Sequence, residues 1–250
     1  MLSAKFKNLS IAAIMAAAAA FTACDSTQTN VDEFGQGAIQ MKTSAESVSS
    51  KAKSSLTSQG SIVLNDGTNE IEILEVKFFL EEFELEAAAD SSDFELEELN
   101  DFIVNLPLDG NPLFITQADI PAGFYDEFEM EIAKPGSDIQ TTDLDFRDET
   151  GNYSVVIKGL FNGEEFTFRS SEDFEIGVDL NPSLEISDTS QSTLVIDISV
   201  ATWFTGDDGL ILFPKELASL EKINENIENS FEAFEDSFDE DDDDDNDDDS

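Results

Sequence analysis

The sequence predicts a mainly β protein: an antiparallel β-sandwich, Ig-like or transthyretin-like, followed by a C-terminal amphipathic helix. Three observations predict it. Roughly nine short runs alternate apolar with acidic residues at a period of two, as in Phe124–Ile132 and Phe174–Leu180. Turn signals separate these runs at short, regular spacing: Asp66-Gly67, Asp109-Gly110, Ile120-Pro121, Asn162-Gly163 and Asp207-Asp208-Gly209. No helical period intervenes before Pro214.

The elements follow in order. Gly35-Gln36-Gly37 opens the folded sequence, and Ala38–Lys42 alternates as a strand. The Ser/Ala/Lys-rich stretch from Ala45 to Ser61 reads as a loop or short helix, and Ser61–Leu64 as a strand. The longest strand-like run is Glu70–Glu86. Its apolar parity flips near Leu74 and again near Glu81-Glu82. A period-two register absorbs a flip only with an extra residue, so two β-bulges or breaks are expected there. Phe102–Leu106 is a short strand stopped by Pro107, and Phe124–Ile132 follows the turn at Ile120–Gly123. Tyr153–Phe161 and Glu164–Phe168 flank the Asn162-Gly163 hairpin turn. Phe174–Leu180 is a strand ended by Pro182, and Leu194–Val200 is the last one. Beyond Pro214, Leu217, Leu220, Ile223, Ile227, Phe231, Phe234 and Phe238 recur at spacings of three and four. They form one apolar stripe of a helix over 214–238, laid on the sandwich or offered to a protein partner. The near-pure acid of 239–250 is expected to be extended and disordered.

Composition limits the chemistry. The 21 Phe against 2 Tyr and 1 Trp point to a Phe-filled core and count against a sugar-binding face. There is no histidine, which removes Ser-His-Asp and Cys-His triads and His-ligated zinc. One cysteine makes no internal disulfide. The formal net charge is −45, and beyond Cys24 it is −47, from 57 acidic and 10 basic residues. Such a field repels nucleic acid and anionic head groups. It also suits saline surroundings, where ions screen the repulsion.

The N-terminus carries its own signal. Lys5 and Lys7 precede an apolar run, Ile11–Phe21, that is shorter than the roughly 20 residues a spanning helix needs. Small residues then lead to the sole cysteine in Phe21-Thr22-Ala23-Cys24. The segment resembles a bacterial lipoprotein signal, with Phe21 where leucine is usual. The resemblance implies cleavage before Cys24, acylation of its thiol and a membrane partner reached through that lipid. A plain signal peptide cut near Ala20 or Ala23 is the alternative. The organisation expected is 1–23 signal, 24–34 flexible tether, 35–213 sandwich, 214–238 helix and 239–250 acidic tail.

Candidate sites are few. The turn acids Asp66, Asp109, Asp148, Glu149, Asp207 and Asp208, and Asp241, Asp242 and Asp243 in the tail, are the candidate oxygen ligands for weakly bound Ca2+. Each turn acid is first of all a turn residue, and the tail lacks the glycine and closing glutamate of an EF-hand. No other cofactor is expected. Ser50-Lys51-Ala52-Lys53 matches the S-x-x-K of penicillin-recognising enzymes, but no S-D-N or K-T-G follows.

A longer pattern also resembles something known. It comprises the run from Leu74 to Leu85, Asn105–Leu108, Ile120–Tyr125, Phe161–Phe168, Val200–Phe204 and Asn226–Phe234. In this order the segments resemble uncharacterised bacterial β-sandwich lipoproteins with a domain of unknown function. The resemblance implies the fold and the anchor, and supplies no activity and no site residue. The expected function is that of a lipid-anchored cell-envelope protein, exported to the outer membrane or cell surface and acting as a non-enzymatic binding or structural module. The alternatives are a calcium-dependent adhesion or glycan-binding module, and a carboxylate-based glycan hydrolase.

Overall fold

The computed structural model describes residues 34–44, 51–57, 60–88, 94–95, 102–136, 143–189 and 191–235. Cys24, Ser50, the signal segment and the tail with Asp241, Asp242 and Asp243 lie outside them. In chain order the elements are β1 (Phe34–Thr43), β2 (Lys53–Leu56), β3 (Ile62–Asn65), β4 (Glu70–Ala87), β5 (Phe94–Glu95), β6 (Phe102–Asn105), β7 (Leu113–Pro121), β8 (Gly123–Ile132), β9 (Arg147–Asp148), β10 (Gly151–Asn152), β11 (Val155–Phe161), β12 (Glu164–Ser170), β13 (Phe174–Ile186), β14 (Gln191–Ile198), α1 (Val200–Trp203), α2 (Leu217–Glu228) and β15 (Phe231–Glu235).

Two sheets pack face to face. The smaller has the order β15-β14-β1-β7. Its inner residues Ile39, Met41, Leu194, Ile196 and Ile198 meet those of the larger sheet in one core, so the architecture is a β-sandwich. The pairing is antiparallel except for β1 and β14, which run parallel. This pair joins segments about 150 residues apart, and it departs from the all-antiparallel expectation.

The larger sheet is built around β4. Along one edge β4 pairs first with β11 and then with β8; along the other it pairs with β3, β6 and β5. The hand-over from β11 to β8 falls at Phe79, whose N–H donates to Ser154 O (2.9 Å) and whose carbonyl accepts from Ala133 N–H (3.1 Å). Both expected bulges are present. Leu74 is skipped between Glu75 and Ile73 opposite Lys158 and Gly159, and Glu81 is skipped between Leu80 and Glu82 opposite β8. The bulges keep Ile71, Ile73, Val76, Phe78, Leu80, Phe83 and Leu85 all in the core. Leu74, the residue displaced, is 48% exposed. The bulges also fix the outer face of β4, which reads Glu75, Lys77 and Phe79, and then Glu82, Glu84 and Glu86.

Four expectations are corrected. The stretch read as a loop or helix contains the strand β2, which pairs with β3. Pro182 does not end β13: the strand continues to Ile186 across an irregular stretch between Asp179 and Leu184 that holds a cis Asn181–Pro182 bond. Proline is tolerated in a strand where the ladder is already broken. The last apolar strand stops at Ile198, and Val200–Trp203 is a helical turn. The helix read over 214–238 ends at Glu228, and Phe231–Glu235 is a strand against β14.

That last change has a local cause. Ser230, just after α2, donates to Ile227 O (2.7 Å) and accepts from buried Trp203 Nε1 (2.6 Å). The Asn226 amide donates to the carbonyls of Thr202, Trp203 and Thr205 at 2.9–3.2 Å. These bonds lock the end of α2 onto α1, and the chain turns there. Ile223 and Ile227 are buried in the molecule's own core. Phe231 and Ala233 then face inward opposite Ile198 and Ile196, while Phe234 faces out beneath the Lys42 ammonium (4.7 Å). A spacing of three at Phe231 and Phe234 extends the helical stripe on paper, but hydrogen bonding at Ser230 and pairing with β14 override it.

Candidate functional site

The outer face of β4 has two different halves. Around Glu75, Lys77 and Phe79 it is covered. Residues 143–153 fold over it and bury Phe146 against Phe79 and Val156, with ring centroids of Phe79 and Phe146 6.3 Å apart. Lys77 lies under this cover, 9% exposed. Its ammonium donates to Asp143 (2.8 Å) and Asp145 (2.7 Å) and pairs with Glu75 (3.0 Å). Lys158 stands across the strand pair and engages Glu75 (3.0 Å) and Asp145. Burial alone lowers the Lys77 pKa, but its hydrogen bonds to the three carboxylates outweigh it and hold the amine well above its usual 10.5. This half is a closed, charge-compensated cluster, and its lysine is no nucleophile.

Past the Glu81 bulge the outward positions of β4 are all acidic. Here β4, β8 and β13 lie side by side, and their registers align three rows: Glu82, Glu131 and Glu175; Glu84, Glu129 and Gly177; Glu86, Glu127 and Asp179. Eight carboxylates thus occupy eight of nine lattice positions on the described strands, and none of the nine positions is a lysine or arginine. At one end, the Lys134 ammonium is taken by Asp173 (2.6 Å) and the Ser171 carbonyl (2.6 Å). The ninth position is Gly177. A Cβ there would lie 3.0 Å from Glu127 Oε1. A hollow of about 370 Å3 lies over Gly177, lined by Glu82, Glu84, Glu129, Glu131 and Glu175 with Met130 and Ile176.

The lattice perturbs its own members. Burial, then the charges of Glu86, Glu129, Asp179 and Asp126, raise Glu127 above the ordinary 4.5. Burial, then Glu82, Asp173 and Glu175, raise Glu131. One oxygen from each of Glu86, Glu127 and Glu129 lies within 4.8 Å of the others, a spacing that one cation with flexible oxygen coordination draws together.

The residues singled out beforehand behave differently. Asp207 pairs with Lys222 (2.8 Å), and Asp208 Oδ1 accepts the Leu210 N–H (3.0 Å) while its carbonyl accepts from Lys51 (2.7 Å). Lys51 fills only an x position of the S-x-x-K match, whose own lysine, Lys53, is the first residue of β2. Asp66 caps its own turn at Thr68 and Asn69 and accepts the Ile211 N–H (2.9 Å), which ties the two turns together. Local N–H groups and a lysine thus occupy the turn acids and hold them as turn residues. The lattice was missed because it depends on which strands are neighbours. The available signal was the alternation itself: Glu82-x-Glu84-x-Glu86 and Glu127-x-Glu129-x-Glu131 are acidic at every outward position. The chain matches no protein-family profile, no curated protein and no solved structure.

Proposed function

We propose that this chain is an exported, lipid-anchored, non-enzymatic binding module of the bacterial cell envelope, at the outer membrane or cell surface. Its binding surface is the carboxylate lattice, which takes Ca2+. The observation that carries the reading is the row alignment of eight carboxylates on β4, β8 and β13, with one oxygen each of Glu86, Glu127 and Glu129 within 4.8 Å of the others. Extracellular calcium modules work at Kd of about 10−4–10−3 M, and an open lattice without a rigid ligand loop belongs in that class. The anchor rests on the segment ending at Cys24 and on the resemblance to bacterial β-sandwich lipoproteins. Among the described residues no helix is long and apolar enough to cross a membrane.

The two acids with raised pKa do not pair with each other as a glycosidase's carboxyls would. Glycosidases set one raised and one ordinary carboxyl about 5–9.5 Å apart across the scissile bond. The two raised acids here, Glu127 and Glu131, are shifted in the same direction and stand four residues apart on one strand, about 14 Å at strand rise. The absence of histidine leaves no imidazole to assist.

Two experiments test the halves of the reading. Mass spectrometry of the mature protein should find an acylated Cys24 at the N-terminus, and Cys24→Ala should release the protein from the membrane fraction. A free thiol at Cys24, or an intact signal segment, contradicts the anchor. Gly177→Lys puts an ammonium into the vacant lattice position. It should raise stability in low salt by about 1 kcal/mol, from the charge and from replacing a strand glycine, and should abolish the stabilisation by calcium. A calcium response equal to that of the parent protein counts against the lattice as the site.

A further inference from the structure

A second surface lies away from the lattice. The strand β12 pairs with β11 on one side, and among the described residues no strand pairs with its other edge. In an antiparallel pair, alternate residues turn both backbone groups outward. The Lys215 ammonium, which donates to Glu165 O (2.7 Å), marks Glu165, Thr167 and Arg169 as the outward set. Beside this edge a groove of about 560 Å3 separates residues 168–172 from α2. Phe168, Leu217 and Leu220 give it an apolar wall, and Leu217 is 84% exposed. Asn224 also lines it, and the Asn224 Oδ1 is buried with no hydrogen-bond partner. A buried acceptor without a partner costs free energy unless a donor reaches it.

We propose that this groove takes an extended, cationic segment of another polypeptide, which adds to the sheet as a strand on β12. The strand edge beyond Glu165, whose own carbonyl Lys215 holds, supplies backbone hydrogen bonds at Thr167 and Arg169, the apolar wall receives alternate side chains, and Asn224 Oδ1 accepts a donor from the incoming chain. Charge selects the occupant. Glu172 and Glu221 line the groove on opposite sides, and both are exposed. The guanidinium of Arg169 is turned away over the Tyr153 ring (5.3 Å) and donates to Asp145 O (3.2 Å). A second copy of this chain, itself at −45, is repelled, whereas a lysine-bearing strand is attracted.

The test uses the full chain and a fluorescent, end-blocked peptide, Lys-Val-Lys-Val-Lys-Val-Lys, by anisotropy in 150 mM salt. Binding is expected, at least tenfold tighter than for Lys-Ser-Lys-Ser-Lys-Ser-Lys, which has the same charge and lacks the apolar residues. Methylating alternate backbone nitrogens of the first peptide should weaken it more than tenfold, with no change to the protein. Thr167→Pro, which removes an outward N–H and leaves the β11 ladder intact, should weaken it at least fivefold, and Leu217→Ser about threefold. Equal affinity for the two peptides, or indifference to N-methylation, would mean attraction by net charge alone and overturn the proposal. So would no binding at all.

Discussion

Lys77→Met is expected to lower the unfolding free energy by about 3 kcal/mol, at the lower end of the 3–5 kcal/mol typical for breaking a buried charge cluster. The side chain of Lys77 is 11% exposed, and its ammonium meets Glu75, Asp143 and Asp145 within 3.0 Å. Without it, Lys158 still holds Glu75 and Asp145, while Asp143 loses its bond from Lys77. The partners are about a quarter exposed, so water relieves part of the repulsion, and this places the value low in the range. The cover formed by residues 143–153 should loosen first, because Phe146 is held down beside this cluster. Denaturant unfolding of the variant checks the magnitude. Hydrogen exchange around Phe79 and Val156 checks the location, and unchanged protection there contradicts a role in closing the cover.

The second large effect is on salt. Raising NaCl from 10 mM to 1 M should raise the thermal midpoint by roughly 10 °C. Five like-charged pairs stand directly opposite one another: Glu82 with Glu131, Glu131 with Glu175, Glu84 with Glu129, Glu86 with Glu127, and Glu127 with Asp179. At a spacing of about 5 Å each repels by roughly 0.8 kcal/mol in water. Over this range the screening length falls from about 30 Å to about 3 Å, which removes most of the repulsion. A domain of this size gains about 2–4 °C per kcal/mol. Scanning calorimetry across the series measures it, and a flat midpoint contradicts it.

The pH response carries the same signature with a defined sign. Glu127 and Glu131 titrate higher in the folded protein than their ordinary 4.5, so the folded state binds their protons more tightly. Their penalty is full above the folded value and gone below 4.5, and stability therefore rises as pH falls toward 4.5. Asp66, Asp145 and Asp148 are held below 3.8. Asp148 is held at about 2 by Thr150 first and then by Tyr153 and Gly151, against a small opposing effect of burial. Their contribution is full above 3.8 and is lost as pH falls through the folded values. In low salt the most stable pH should lie between about 4 and 5, the overlap of the two windows. An optimum near neutrality contradicts the carboxylate repulsion.

Local features of the fold were legible in the sequence. The parity flips of Glu70–Glu86 placed both bulges at Leu74 and Glu81, because a buried period-two face tolerates no other solution. The hairpin turn at Asn162-Gly163 was legible too, with positive φ at both residues. What the sequence withheld was pairing between distant segments. The parallel β1–β14 pair, the strand identity of Phe231–Glu235 and the row alignment of β4, β8 and β13 are set by neighbours far along the chain. The covered half of β4 did leave a trace. Phe79 falls at an outward position beside Lys77, the lone base in an acidic run, and an aromatic on a wet face calls for a cover.

The lattice as a calcium site is tested most directly by isothermal titration of Ca2+ into the full chain at constant ionic strength, against a Glu86→Gln/Glu127→Gln/Glu129→Gln variant. Binding with Kd near 10−4–10−3 M in the parent, lost or weakened at least tenfold in the variant, is the expected result. Equal calcium affinity in the two proteins would place any bound ion on the acidic tail and leave the sheet face without its role.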